Sequence, residues 1–330
     1  MAEAQALRAV LEKFPGQQLL VIGDVILDRY WWGEASRLSP EAPVPVVRRR
    51  RSTTRPGGAA NTAANLAALG ARVDLVGVVG EDPEASELKS ALAEFGVSGD
   101  LLLPEPGRPT TTKTRIVALH QQIVRVDEEE TAAIADATAA RVLAALEERL
   151  PHAAAIVVSD YAKGLLTPTL LGAVIAAARA AGIPVLVDPK GTDYHRYTGA
   201  SLLKPNRLEL GILAALPARD HAETLLAGCR LSAALPGTSV LVTEGADGMT
   251  LFRDSQVLAH TESAPRQVYD VTGAGDTVLA AIAMALGAGA AYPEAMQVAT
   301  EAAAIAISLT GTVAVTLQHL QAAFPAAPPK

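Results

Sequence analysis

The chain has 330 residues, half of them hydrophobic and 4% aromatic, enough to bury a large core as one big α/β domain or two smaller ones. A formal charge of −7 argues against a nucleic-acid partner, which would select a basic face. Cys229 is the only cysteine, which excludes an internal disulfide, and no apolar run reaches the length of a membrane span.

In chain order, Glu3, Arg8, Glu12 and Lys13 give an N-terminus unlike a secretory leader, so a cytoplasmic chain is expected. The run Leu19-Leu20-Val21-Ile22-Gly23 reads as a buried parallel strand that delivers Asp24 at its carboxyl end. Residues 30–47 break the pattern, aromatic at first and then proline-rich, and Trp31 and Trp32 suit lid core or a subunit contact. Arg48 to Arg51, with Arg55, form the one basic run and read as a solvated edge. Helices are expected over 59–69 and 84–95, with a strand over 75–79 between them. Residues 111–127 alternate polar and apolar positions, as a half-exposed strand pair does. Helices over 139–150 and 169–181 then alternate with strands over 155–158, 184–187 and 240–242.

This alternation, with strands buried on both faces, predicts an α/β fold: a three-layer α/β/α sandwich around a mostly parallel central sheet. The two irregular segments, about 28–50 and 110–127, are expected to form a small antiparallel β lid inserted in a single domain over 1–330. Ligands of such sheets bind beyond the carboxyl ends of the strands. Asp24, Ser159, Asp160, Asp188, Lys190, Thr243 and Glu244 all fall there.

The stretch Tyr269-Asp270-Val271-Thr272-Gly273-Ala274-Gly275-Asp276-Thr277 carries the chemistry, because a long apolar helix begins directly after it. Its glycines sit where unpaired backbone N–H groups and the positive dipole end bind phosphate. Asp276, about one turn in, is placed to take a proton from a hydroxyl. Alone, such a turn is more often a helix start with a stabilising acidic residue, and it is the rest of the chain that favours the functional reading. No Gly-x-x-x-x-Gly-Lys-Ser/Thr element is present, the turn after the first strand lacks the dinucleotide fingerprint, and the six histidines form no metal signature. Asn206-Arg207-Leu208-Glu209, after Lys204-Pro205, has the spacing of a helix-capping box.

Together with Pro56-Gly57-Gly58-Ala59-Ala60-Asn61, the glycine turn resembles the ribokinase-like carbohydrate kinases of the PfkB family, over roughly residues 19–315. The resemblance implies Asp276 as catalytic base and the N–H groups of Gly273, Ala274 and Gly275 as the cradle of the transferring phosphoryl group. It implies that Asp24, Gly57, Gly58 and Asn61 lie against the sugar. Asn206, Glu209 and Asp188 would organise magnesium, and Lys190, Asn206, Thr243, Gly245, Gly248 and Gly311 would face the nucleotide. ATP and Mg2+ are the implied cofactors, with a monovalent cation as an option.

Longer blocks resemble kinases of D-glycero-D-manno-heptose 7-phosphate more narrowly: Gly23 to Trp31, Ser36 to Val46, Ser159 to Gly164 and Asp188 to Asp193. The implied reaction is ATP-dependent phosphorylation of the anomeric (C1) hydroxyl, giving heptose 1,7-bisphosphate for nucleotide-activated heptose and lipopolysaccharide core. A substrate phosphate far from the reacting hydroxyl needs cations away from Asp276. Arg37, Lys113, Arg115, Arg125 and Lys163 are the candidates, with Asp28 and Asp160 from the same blocks expected at the sugar. The rival readings are a kinase of another sugar or sugar phosphate, and a non-catalytic sugar-phosphate sensor on the same fold. Many relatives fuse a nucleotidyltransferase bearing His-x-Gly-His; no such element precedes Lys330, so a kinase alone is expected. Where relatives show Asn-Ala-Ala-Ala-Gly near adenine, Thr300-Glu301-Ala302-Ala303-Ala304-Ile305 stands here. The apolar lid residues Tyr30, Trp31, Trp32 and Val44 to Val47 lead to the expectation of a homodimer through the lid.

Overall fold

The computed structural model describes residues 2–119, 121–264, 273–309 and 314–324. After helix α1 (Ala2–Leu11), strand β1 (Gln18–Gly23) sends Leu19 and Val21 into one hydrophobic core and Leu20 and Ile22 into another, and all four are buried. That is the period-two consequence of a strand covered on both faces, and it explains why the segment reads as an unbroken apolar run. The chain next leaves the main sheet as a long hairpin of β2 (Val25–Leu38) and β3 (Pro45–Gly58). It returns through α2 (Ala59–Ala68) to β4 (Arg72–Val79), then α3 (Pro83–Ala93) and β5 (Leu102–Pro104). A second hairpin follows, β6 (Thr112–Ala118) and β7 (Gln121–Glu128).

Alternation then resumes with α4 (Asp136–Arg149), β8 (Ala155–Ser159), α5 (Pro168–Ala180), β9 (Val185–Asp188) and β10 (Leu202–Leu203). Helices α6 (Arg207–Ala214) and α7 (His221–Ala234) lead to β11 (Ser239–Thr243), β12 (Met249–Arg253) and β13 (Gln256–Thr261). The chain closes with α8 (Ala274–Gly287), α9 (Tyr292–Ser308) and α10 (Leu317–Ala323).

The main sheet has the order β13-β12-β11-β10-β9-β8-β1-β4-β5, parallel from β11 to β5, with β12 and β13 as an antiparallel edge. Helices α1 to α3 and α8 to α10 pack in one core, and α4 to α7 in the other, which makes the expected three layers. Strand order reverses between β1 and β8, so the carboxyl ends of these strands open the crevice where such folds bind ligands. Among the described residues no helix is long and apolar enough to cross a membrane.

The smaller sheet has the order β3-β2-β6-β7. Each hairpin is antiparallel, but β2 and β6 pair in parallel, because the chain passes through the main sheet before its second entry. The register sets Asp28 beside Lys113 and Asp127, and Tyr30 beside Arg115 and Arg125, so these six side chains share one face. Chain return from β3 into α2 depends on Gly58, whose φ is +58° and where a Cβ would lie 2.4 Å from the Asp24 carbonyl oxygen.

Candidate active site

Helix α8 begins at Gly273, an N-cap in the left-handed region with φ 79°. Its first turn therefore projects free N–H groups over the carboxyl ends of the parallel strands. Asp276 lies in this turn and is only 5% exposed. Its Oδ2 accepts a hydrogen bond from Asn61 Nδ2 at 2.6 Å; its Oδ1 accepts from Thr62 Oγ1 at 3.2 Å and from the Tyr161 hydroxyl at 3.3 Å. Burial, and then the negative charge of Asp188, push the Asp276 carboxyl up to about 6, against the donors Asn61 and Thr62 and the Lys204 cation. The negative charge of Asp276, and then burial, hold the Tyr161 phenol well above its usual range, so it stays protonated and donates. Thr277 Oγ1 donates to Asn65 Oδ1 at 2.9 Å, which fixes α2 against α8 and keeps the donor set in register.

On the strand side, Lys204 follows β10 and is 2% exposed, its Nζ 3.1 Å from Asp188 Oδ1. That ammonium reaches the first turn of α8: a Cβ at Gly275 would lie 3.6 Å from it. Burial alone would lower the Lys204 ammonium, but Asp188 and Glu209 outweigh it and hold it above the usual range. Asp188 is raised by its own burial, which Lys204 only partly offsets. Lys204, Asp188, Lys190, Asn206, Glu209, Gly273, Gly275 and Asp276 line one polar cavity of about 280 Å³. Asn206 and Glu209 also complete the capping box of α6, with Glu209 N donating to Asn206 Oδ1 at 2.9 Å and Asn206 N to Glu209 Oε2 at 3.1 Å. Lys190 Nζ meets the other Glu209 oxygen at 3.0 Å.

A larger, mostly apolar cavity of about 820 Å³ adjoins this one and shares Asn206, Thr243 and Gly275 with it. Gly245 and Gly248, expected on the nucleotide side, line it; so does Ala274, expected with Gly273 and Gly275 at the phosphoryl group, and α9 adds Thr300, Ala303 and Ala304. The segment that departs from the relatives' Asn-Ala-Ala-Ala-Gly pattern therefore still supplies a wall of the cavity. Gly311 and Asp270 lie outside the described residues.

Among the residues expected at the sugar, several turn inward instead of facing open space. The Asp24 carboxylate accepts backbone N–H groups of Tyr161 at 2.9 Å, Lys163 at 3.0 Å and Leu165 at 3.4 Å, so it shapes the loop after β8. Burial nevertheless holds its carboxyl above the usual range. Asp160 is likewise occupied, by the Tyr197 hydroxyl at 2.8 Å and the Ala162 N–H at 2.8 Å. Both carboxylates are nearly solvent-free and accept fixed donors of the protein. Gly57 lies flat on Asp28, where a Cβ would come within 2.5 Å of Oδ2.

The cations separate into two groups. Arg115 is 2.6 Å from Asp28; Lys113 reaches Asp127 at 3.1 Å and Glu129 at 3.5 Å; Lys163 meets Glu129 at 2.7 Å. Arg125 joins Asp127 at 2.7 Å from a half-exposed position. Arg37 does not join them: it lies exposed near the outer end of β2, because that hairpin runs well beyond the main sheet. Thr62, Tyr161 and Lys204 are members of the constellation that sequence reasoning passed over as site residues. A lysine directly after the apolar Leu202-Leu203 and before Pro205-Asn206 is the signal that could have located Lys204.

Residues 17–319 match the family model described as pfkB family carbohydrate kinase. The bifunctional protein HldE of Geobacter metallireducens is 46% identical over 297 residues, covering 90% of this chain and 61% of that protein. Its counterpart from Azorhizobium caulinodans is 46% identical over 306 residues, covering 92% and 64%. The chain thus spans somewhat less than two thirds of the length of these curated relatives. Among solved structures, a ribokinase of Arabidopsis thaliana complexed with ribose and ATP superposes with a TM-score of 0.75 at 23% identity, covering 94% of this chain and all of that one. The tetrameric inhibited form of phosphofructokinase-2 from Escherichia coli gives 0.75 at 18% identity, covering 94% and 98%. These likenesses establish the ribokinase-like fold. The chain belongs to the pfkB family of carbohydrate kinases, phosphotransferases whose acceptor is a hydroxyl group.

Proposed function

We propose that this chain transfers the γ-phosphoryl group of ATP to the C1 hydroxyl of D-glycero-D-manno-heptose 7-phosphate, giving heptose 1,7-bisphosphate and ADP. The observation that carries the reading is Asp276, buried in the first turn of α8 beside Lys204 and held by three donors. It takes the C1 hydroxyl proton as that oxygen bonds to the γ-phosphorus. The bond from γ-phosphorus to the bridging oxygen breaks, and ADP leaves. The N–H groups of Gly273, Ala274 and Gly275, with the Lys204 ammonium, take up charge on the transferring group. The apolar cavity suits the nucleoside, and Lys190 and Asn206 suit the phosphates next to it.

Asp188 and Glu209 offer the polar cavity the hard carboxylate oxygens that Mg2+ selects, and Asn206 would reach the ion through water. When bound there, the ion neutralises charge on the nucleotide phosphates. The Asp276 carboxyl, raised to about 6, sets a pH dependence. A base works only when ionised, so kcat/KM should be level above about pH 6 and fall tenfold per unit below it. An inflection near 4, the ordinary carboxylate value, would contradict a buried base.

The narrower substrate rests on the heptose-kinase blocks and on the cations Lys113, Arg115, Arg125 and Lys163. The register of β2, β6 and β7 turns the first three to the face that also carries Asp28. Lys163→Ala should raise KM for the sugar phosphate about 10- to 100-fold, the worth of one lost charged hydrogen bond, with kcat little changed. An unchanged KM would remove Lys163 from the substrate site. Leu38, Val44, Val124 and Val126 leave apolar surface exposed on the lid, which supports a homodimer through it. Sedimentation at micromolar concentration should give twice the chain mass, and a monomer would refute that arrangement. With its one cysteine free, the chain suits the reducing cytoplasm.

A further inference from the structure

Behind the nucleotide cavity lies a cluster that phosphoryl transfer does not use. His221, the first residue of α7, and His260, on β13, approach Glu244, which follows β11 and has a fully buried side chain. One ring nitrogen from each histidine and one Glu244 oxygen lie within 4.8 Å of one another. The rings meet edge to face with centroids 4.9 Å apart.

The hydrogen bonds decide which nitrogens are available. A carboxylate only accepts, so the Thr250 hydroxyl bonded to Glu244 Oε1 is the donor there. The same hydroxyl lies 2.8 Å from His260 Nδ1 and has only a lone pair left, so His260 carries its proton on Nδ1. His221 Nδ1 lies 2.8 Å from Glu244 Oε2 and, by the same rule, is also the protonated nitrogen. Each neutral ring therefore keeps an unshared pair on Nε2, and one carboxylate supports both rings, directly or through Thr250. Metal-ligating histidines are held in this way by their outer hydrogen bonds.

Arg207 also touches Glu244 Oε2, at 3.0 Å, and pairs with Asp247 at 2.5 Å. It balances the carboxylate charge and leaves Glu244 as a support for the rings instead of a direct ligand. We propose that His221 and His260 bind a transition-metal ion of the Zn2+ class through Nε2, with Glu244 and Thr250 holding both rings. Two imidazoles select such an ion over the Mg2+ of the catalytic cavity, which prefers oxygen donors. Zn–N bonds are about 2.1 Å long, and with the two ring centroids 4.9 Å apart and both histidines partly or fully exposed, an ion has access to the pair from solvent. The site borders the nucleotide pocket: Glu244 N donates to the Gly248 carbonyl at 2.8 Å, and Gly245 and Gly248 line that pocket.

The test is calorimetric titration of the full chain, free of nucleotide, with Zn2+, paralleled by Co2+ and its visible absorption. About one equivalent should bind in each case. His221→Ala and His260→Ala should each weaken binding about tenfold or more, while Cys229→Ser should leave it unchanged. Absence of saturable binding, binding that survives both histidine substitutions, or binding lost with Cys229→Ser would each overturn the site.

Discussion

Asp276→Asn should lower kcat by about 10²- to 10⁴-fold, the usual worth of a positioned base, while KM for ATP stays near that of the wild type. The same substitution should not destabilise the protein. In the unfolded chain an aspartate titrates near 3.9, but burial holds Asp276 at about 6 in the fold. For an acid raised on folding, the cost of ionisation is absent below the unfolded value. It builds through the window from about 4 to 6 and is fully present above it. At pH 7 the native state therefore carries on the order of 3 kcal/mol of strain at this residue, which a neutral asparagine relieves. One amide nitrogen facing the donors Asn61, Thr62 or Tyr161 gives part of that back. The expected pattern is a crippled enzyme with a melting temperature equal to or above that of the wild type. Turnover within about tenfold of wild type would remove Asp276 as the base.

The second large effect belongs to Lys204. Lys204→Met removes the partner of Asp188 from a pair whose lysine is 2% exposed, and it leaves Asp188 facing Glu209 and Asp276 with the more exposed Lys190 as a remaining counter-charge. Breaking a buried pair on one side costs about 3–5 kcal/mol, so the variant should melt well below the wild type. Loss of the ammonium at the first turn of α8 should also lower kcat by about 10²- to 10³-fold, the scale of a removed charge-stabilising donor. A combined Asp188→Asn and Lys204→Met chain separates the two roles. It should recover much of the stability, because the Asp188 charge that lost its partner is gone as well, and none of the turnover. A single variant that is unstable yet fully active per folded molecule would confine Lys204 to a structural part.

How much of this was legible beforehand follows from what sequence encodes locally. The buried strands announced themselves, since β1 is apolar from Leu19 to Ile22 and β8 from Ala155 to Val158, feeding the two cores. Asp276 was legible because a glycine turn and a long apolar helix lie directly beside it in the chain. The support around it was not, since Thr62 and Tyr161 come from α2 and from the loop after β8, 214 and 115 residues away. Asp24 and Asp160 follow strand ends, and the resemblance to the family and its heptose kinases led to the expectation that they touch the sugar. What sequence could not reveal is that backbone N–H groups, the Tyr197 hydroxyl and Arg196 also bond to them. The parallel join of β2 to β6 is set by the path through α2, β4, α3 and β5, which no local period records. The capping box of α6 was read from spacing alone and formed as spaced, while the second duty proposed for Asn206 and Glu209 depends on the cavity around them.

The most direct test of the central claim is phosphorus NMR of the chain with Mg2+ and ATP. The acceptors are heptose 7-phosphate, ribose, fructose 6-phosphate and no sugar. A new anomeric phosphate signal, matched by ADP, is predicted with heptose 7-phosphate alone. Transfer only to another sugar, or no transfer to any, would contradict it.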